Sequence, residues 1–270
     1  MILDQALVAL PLIMGAYISI SLLKLPDFSL ESAYLFGAVM AFTCRTLPLP
    51  LVLGAAAGGG MVVALLVSAV HQRLKLPFLL SAIIVNGLFH SLTQYILGSS
   101  LKSFHMALLL SERGLLVVVG ILLVGIFTLL LRSQLGYSLA IYGSNPLFFH
   151  HHPVSGRYVT LMGLALAHGC AGIGGFLFAL SNGFVDLTMN VGVVLMSLTA
   201  LILGKAVFPT HKPNSLVTLI GLTLYLCLQQ ALLYLGLNLK YFNAFQAVSI
   251  LATLCLLKKK KTLSLDHLGV

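Results

Sequence analysis

Long apolar stretches separated by short polar gaps dominate the chain. A helix needs about 20 predominantly apolar residues to cross the hydrocarbon core of a bilayer. Runs of that character lie near residues 6–23, 29–46, 50–70, 77–98, 114–131, 158–180, 187–206, 214–235 and 241–257. This pattern predicts an all-α polytopic membrane protein, one transmembrane domain over residues 1–270 with about eight to ten crossing helices. The second run is the least regular: Pro26, Asp27 and Glu31 open it, and Arg45-Thr46-Leu47-Pro48-Leu49-Pro50 close it. A broken or re-entrant segment is therefore expected near residues 25–47. Such backbone is tolerated at membrane depth only where protein or a cavity surrounds it.

The polar gaps give an orientation. Basic clusters sit at His71-Gln72-Arg73-Leu74-Lys75, between Arg132 and Arg157, from Lys205 to Lys212, and at Lys258-Lys259-Lys260-Lys261. Alternating passage through the third to ninth runs puts all four on one face, which the positive-inside rule makes cytoplasmic. The C-terminus then lies inside. The N-terminus lies outside if the second run crosses, and inside if it turns back. The basic tail at residues 258–270 is expected to anchor at the anionic leaflet.

Residues 132–157 form the one sizeable polar connection. Tyr137 to Tyr142 have room for one or two helical turns, which Gly143-Ser144-Asn145-Pro146 would end, with Gly and Asn suited to positive φ. Such a helix is either a docking knob or an ordinary connecting loop. Small residues crowd Gly54 to Gly60, Gly163 to Gly169 and Gly172 to Gly175, which lets helix backbones approach closely in lipid.

Composition sharpens this reading. Hydrophobic residues make up 59% of the 270, charged residues 8%, and mean hydropathy is +1.07. A soluble domain carries about 25% charged residues. The net charge of +9 sits in loops as a topology signal and not as a nucleic-acid patch, so no nucleic-acid partner is expected. The start, Met1-Ile2-Leu3-Asp4, lacks a secretory signal pattern. Cys44, Cys170, Cys227 and Cys255 stand singly in apolar stretches and read as inert thiols. His150-His151-His152 does not form a metal site by spacing, because adjacent side chains diverge. No metal is expected.

Candidate chemistry is sparse. Gly204-Lys205-Ala206 fails as a phosphate loop, since Ala stands where a hydroxyl residue would hold Mg²⁺. No Ser/His/Asp grouping is visible, and the chain is expected to be non-catalytic. Asp27 and Glu31, four residues apart, share a helical face and either accept a cation or mark a helix start at which Asp27 or Ser29 caps. Asn86, His90 and Gln94 share a helical face and either line a path or form interhelical hydrogen bonds of about 1–2 kcal/mol each. Asp186 falls at an outer connection.

Four motifs together resemble a known family. Leu25-Pro26-Asp27-Phe28-Ser29-Leu30-Glu31-Ser32 followed by Gly37-Ala38 resembles a segment of ABC importer permeases of the branched-chain amino-acid (LIV) type. Within that class it is most similar to the compact tryptophan/tyrosine-type permeases. Arg132 to Pro146 resembles the cytoplasmic element of that family. Gly163 to Gly204 is similar to its next two helices, and Leu237 to Ala244 to the opening of its last. Ile141, Tyr142, Ser32 and the histidine run depart from the family pattern.

The resemblance implies a homodimer enclosing a path for a small solute such as an amino acid, in the bacterial inner membrane. It also implies an extracytoplasmic substrate-binding protein and a cytoplasmic ABC ATPase, with ATP and Mg²⁺ on that partner and no cofactor on this chain. The coupling helix would comprise Gly136, Tyr137, Leu139, Ala140, Gly143, Asn145 and Pro146. Asp27, Ser29 and Glu31, with Asn86 and His90, would lie by the path. A self-sufficient secondary transporter or channel is the alternative.

Overall fold

A computed structural model describes residues 2–106, 111–150, 153–208, 213–236 and 244–251. Its helices are α1 (Ile2–Ala16), α2 (Leu30–Thr43), α3 (Leu49–Leu74), α4 (Phe78–Leu97), α5 (Glu112–Arg132), α6 (Gln134–Ser144), α7 (Gly156–Asn182), α8 (Val193–Val207) and α9 (Leu216–Tyr234). α1 continues as a π-helical turn, Tyr17–Leu22, and a 3₁₀ turn, Pro146–His150, follows α6. Residues 244–251 are helical within the ninth apolar run. The tail at 258–270, His151, His152, and Leu237 to Asn243 lie outside the described residues.

Among the described residues six helices are long and apolar enough to span a membrane: α1 with its π turn, α3, α4, α5, α7 and α9. The all-α polytopic fold read from hydropathy is what the chain forms. α7 is the hub, with α1, α2 and α3 packed along it. Gly37, Gly172 and the Ala56 carbonyl come together where α2, α3 and α7 meet, leaving no room for a side chain on either glycine. Small residues supply this approach because lipid offers no hydrophobic drive for association.

Two faces can be told apart. Asp4, in the first turn of α1, pairs with Arg113 in the first turn of α5 at 3.4 Å. On that same face β1 (Leu101–Ser103) pairs antiparallel with β2 (Phe184–Asp186), with Leu101 opposite Asp186. This short ladder joins the α4–α5 and α7–α8 connections, and three-residue strands carry no periodicity by which hydropathy could reveal them. α6 lies at the other face, where Gln72 of α3 donates to the Arg157 carbonyl at 3.4 Å. Lys24, Arg73, Lys75, Arg132, Arg157 and Lys205 belong to the α6 face. Asp4, Glu112 and Asp186 belong to the hairpin face, together with Arg45, Lys102 and Arg113.

Two helices stop short of a full crossing. α2 has 14 residues and α8 has 15, about 21–23 Å at 1.5 Å per residue against a core of about 30 Å. The chain is at the α6 face at Lys24 and reaches the hairpin face at Phe42, whose ring lies 6.3 Å from that of Phe104. The second segment is therefore a broken crossing, and α1 begins at the hairpin face. The apolar run at 187–206 becomes helical only at Val193. Leu187 to Gly192 form turns, and Gly192 adopts φ 85°.

Candidate functional site

The broken crossing begins where the π turn ends. Lys24 holds a left-handed φ of 55°, an uncommon state for a non-glycine residue, and Pro26 then keeps the chain extended ahead of α2. This leads Asp27 and Ser29 into the protein interior beside His168, near the middle of the 27-residue α7. All three side chains are 1% exposed or less.

Their geometry is specific. Asp27 Oδ1 accepts from the Ser29 backbone N–H at 3.1 Å and from Ser29 Oγ at 2.6 Å. Ser29 Oγ is also 2.8 Å from His168 Nε2. His168 Nδ1 lies 2.9 Å from the Leu164 carbonyl, which can only accept, so Nδ1 carries a proton. Asp27 Oδ2 is buried without a hydrogen bond, 3.7 Å from His168 Nε2. Ser29 occupies the cap position of α2, yet its side chain makes no capping bond. Its hydroxyl is turned to histidine instead. Ionisable groups at this depth are expensive and pair with one another.

A second junction lies one turn further on. The Glu31 carboxylate, half-buried, sits against the backbone N–H groups of Gly192 and Val194 at the start of α8. An acid at a helix N-terminus satisfies orphan donors and complements the dipole. Asn190, just before that start, has a buried amide oxygen without a partner. Ser32 donates to Asn86 Oδ1, tying α2 to α4. Asp27, Ser29 and Glu31 thus gather where two short helices begin, whereas His90 stands exposed on α4 with Gly87, Ser91 and Gln94. The exposed side of α5 contrasts, being purely apolar from Val117 to Leu129.

The α6 element divides into two sides. Its helix runs from Gln134 to Ser144, longer than the one or two turns expected, with Ser133 Oγ accepting from the Gly136 N–H at 3.4 Å. Gly136 and Leu139 are buried and Ala140 is partly so. Leu139 and Leu23 lie over Gly163 of α7, and Gly143 presses on the Leu22 carbonyl. Gly143 is required for close approach, not for positive φ, and Asn145 is extended at φ −148°. Tyr137, Ile141, Asn145, Pro146, Leu147 and Phe148 face outward, Leu147 with 70% of its surface free.

A cavity of about 530 Å³ opens near the hairpin face between α1, α5, α7, α8 and α9. Asp4, Glu112 and Arg113 stand at its mouth, with Tyr34, Phe178 and Met196 among its walls. None of the path residues chosen from sequence lines it. Among the described residues no group of three His, Cys, Asp or Glu could hold a metal ion. His168 was missed from sequence because it sits among glycines and alanines that read as packing; its signal was an ionisable residue mid-way along an apolar run.

Comparison with known proteins agrees in direction. The family model described as branched-chain amino acid transport system / permease component matches residues 1–254. An uncharacterized protein of Rickettsia prowazekii (strain Madrid E) is 28% identical over 253 residues, 87% of this chain and 89% of that protein. The tyrosine transport system permease protein of Clostridioides difficile (strain R20291) is 26% identical over 264 residues, 93% of this chain and 90% of that protein. No solved structure matches.

Proposed function

We propose that this chain, which belongs to the branched-chain amino acid transport permease family, is the membrane-spanning subunit of an ABC importer. It works as a homodimer around a path for an amino acid or similar small solute. An extracytoplasmic binding protein delivers the solute at the hairpin face. A separate ATPase, carrying ATP and Mg²⁺, docks on α6. The name of the tyrosine permease relative supports the substrate class.

One observation carries the reading. α6 is anchored behind by Leu139 and Gly143 and, together with the 3₁₀ turn that follows it, offers Tyr137, Ile141, Leu147 and Phe148 to the aqueous side. An apolar cluster fixed on a rigid helix at a basic face is built to be covered by a protein partner. The surplus of Lys and Arg on that face supports its being cytoplasmic. The polar positions on the exposed side of α4 suit a path between two copies better than contact with lipid tails.

Mechanically, closure of the ATPase subunits on ATP shifts α6, and with it the π turn on which Gly143 rests. The broken segment then carries the shift to α2. ATP drives the change only through its tighter binding to the closed state.

The alternative, a self-sufficient secondary transporter, draws on the buried Asp27–His168 contact, since intramembrane ion pairs mark such proteins. The test is reconstitution in liposomes with and without the ATPase and binding protein. Uptake that needs ATP and both partners supports the importer. Solute uptake by the chain alone overturns it. Ile141→Asp should insert normally yet lose most of the co-purifying ATPase.

A further inference from the structure

Ser29 Oγ stands between two groups that each claim its single proton, Asp27 Oδ1 at 2.6 Å and His168 Nε2 at 2.8 Å. One hydroxyl hydrogen satisfies only one of them. Both hydrogen bonds form if one neighbour brings a proton of its own. His168 Nδ1 is committed to the Leu164 carbonyl, so the second proton belongs either to Nε2 or to the Asp27 carboxyl.

We infer that Asp27, Ser29 and His168 form a proton relay with one mobile proton, which lets the broken-helix junction exchange an ion pair for a neutral pair. In the charged form His168 Nε2–H donates to Ser29 Oγ, and the Ser29 hydroxyl donates to the Asp27 carboxylate. Conversion moves the Nε2 proton to Oγ as the hydroxyl proton moves to Asp27 Oδ1. The result is a carboxylic acid donating to serine and a serine donating to neutral imidazole. Both bonds persist with reversed direction, and no proton enters or leaves.

Surroundings decide which form prevails. In water a carboxyl is a far stronger acid than an imidazolium, so the proton rests on the ring. In a dry interior two desolvated charges cost far more than two neutral groups. Asp27 Oδ2 adds to that side: buried and without a donor, it is tolerable as the carbonyl of a neutral acid and costly as part of a carboxylate. Water reaching Oδ2 therefore moves the balance toward the ion pair, and its exclusion moves it back.

The other charged or titratable groups nearby are few. Glu31 on α2 is engaged at the start of α8. Tyr17 in the π turn, Tyr34 on α2, and Tyr158 and Cys170 on α7 are the uncharged titratable groups of those elements. The charged residues of α1, α3 and α7 (Asp4, Arg73, Arg157) and His71 are confined to terminal turns. This inference does not rest on the importer reading, because the relay is a property of the chain in lipid.

Solid-state NMR on the full-length chain in lipid films, labelled at histidine nitrogens and aspartate carboxyls, tests it. Signals are assigned by their loss in Asp27→Asn and His168→Gln. Spectra are recorded near neutral pH across a series of hydration levels. As hydration rises, the ring should gain its proton in the same proportion as the carboxyl loses it. Ser29→Thr should keep this coupling and Ser29→Ala should abolish it. A ring that exchanges its proton with solvent while Asp27 stays ionised overturns the relay, and so does coupling that survives in Ser29→Ala.

Discussion

Leu139 is the residue on which the seating of α6 depends most directly. It is fully buried, and its δ-carbon lies with Leu23 over Gly163. Leu139→Ala removes three carbons from a site that a rigid glycine surface cannot refill. Buried Leu→Ala changes cost about 2–5 kcal/mol, and the lower part of that range applies to an element at the protein edge. About 2–3 kcal/mol, borne by α6 alone, corresponds to roughly 30- to 160-fold more frequent local opening. Hydrogen–deuterium exchange of the α6 amides in nanodiscs reads this directly: they should exchange faster by that factor while α7 amides stay protected. Ile141→Ala, on the exposed side, should leave exchange nearly unchanged, since surface changes fall within about 0.5 kcal/mol. Equal α6 protection in wild type and Leu139→Ala would refute the anchoring argument.

Further outcomes follow from other contacts. His168→Ala takes away the buried hydrogen-bond partner of Ser29 Oγ and should destabilise by about 1–3 kcal/mol in thermal unfolding. Gly172→Val pushes a side chain against the Ala56 carbonyl and should cost at least the usual overpacking penalty of about 1–3 kcal/mol, while Gly54→Val, in open space, should not. In a cysteine-free background, Tyr137→Cys and Lys102→Cys should react with an impermeant thiol reagent from opposite sides of the membrane; labelling from one side would break the two-face assignment. Arg113→Ala should change stability by less than about 1 kcal/mol, because that side chain is 80% exposed.

Hydropathy located the six long helices because burial in lipid demands unbroken apolar length. It also located the irregular crossing, since Pro26 and two acids interrupt an otherwise apolar run. The start of α8 was hidden, because Leu187, Met189 and Val191 are as apolar as the helix they precede, although they lie in turns. The antiparallel ladder between Leu101–Ser103 and Phe184–Asp186 joins residues more than eighty positions apart and leaves no local mark. For Ser29 the motif suggested a cap or a path position, and only the approach of α7 shows its hydroxyl turned to His168. The two sides of α6 were equally illegible: Gly136, Leu139 and Gly143 resemble their neighbours in sequence, and their burial depends on where Leu22 and Gly163 lie.

The same short stretch of chain links the two features on which the proposed function depends. Gly143 of α6 presses on the Leu22 carbonyl, and seven residues later Ser29 is bonded to both Asp27 and His168. That link is short, turning at Lys24 with its left-handed φ and stiffened at Pro26. A displacement of α6 must therefore either break the Leu22 contact or pull on Asp27 and Ser29, whose bonds hold the start of α2. Because α2 meets α7 through glycines that admit no sliding side chains, the path of least resistance is at the junction itself, where Asp27 Oδ2 and the Asn190 amide oxygen are already without partners. Packed interiors switch between discrete arrangements more readily than they deform. Two unsatisfied buried oxygens beside two helix starts make this junction the place where an alternative arrangement, with water admitted, costs least.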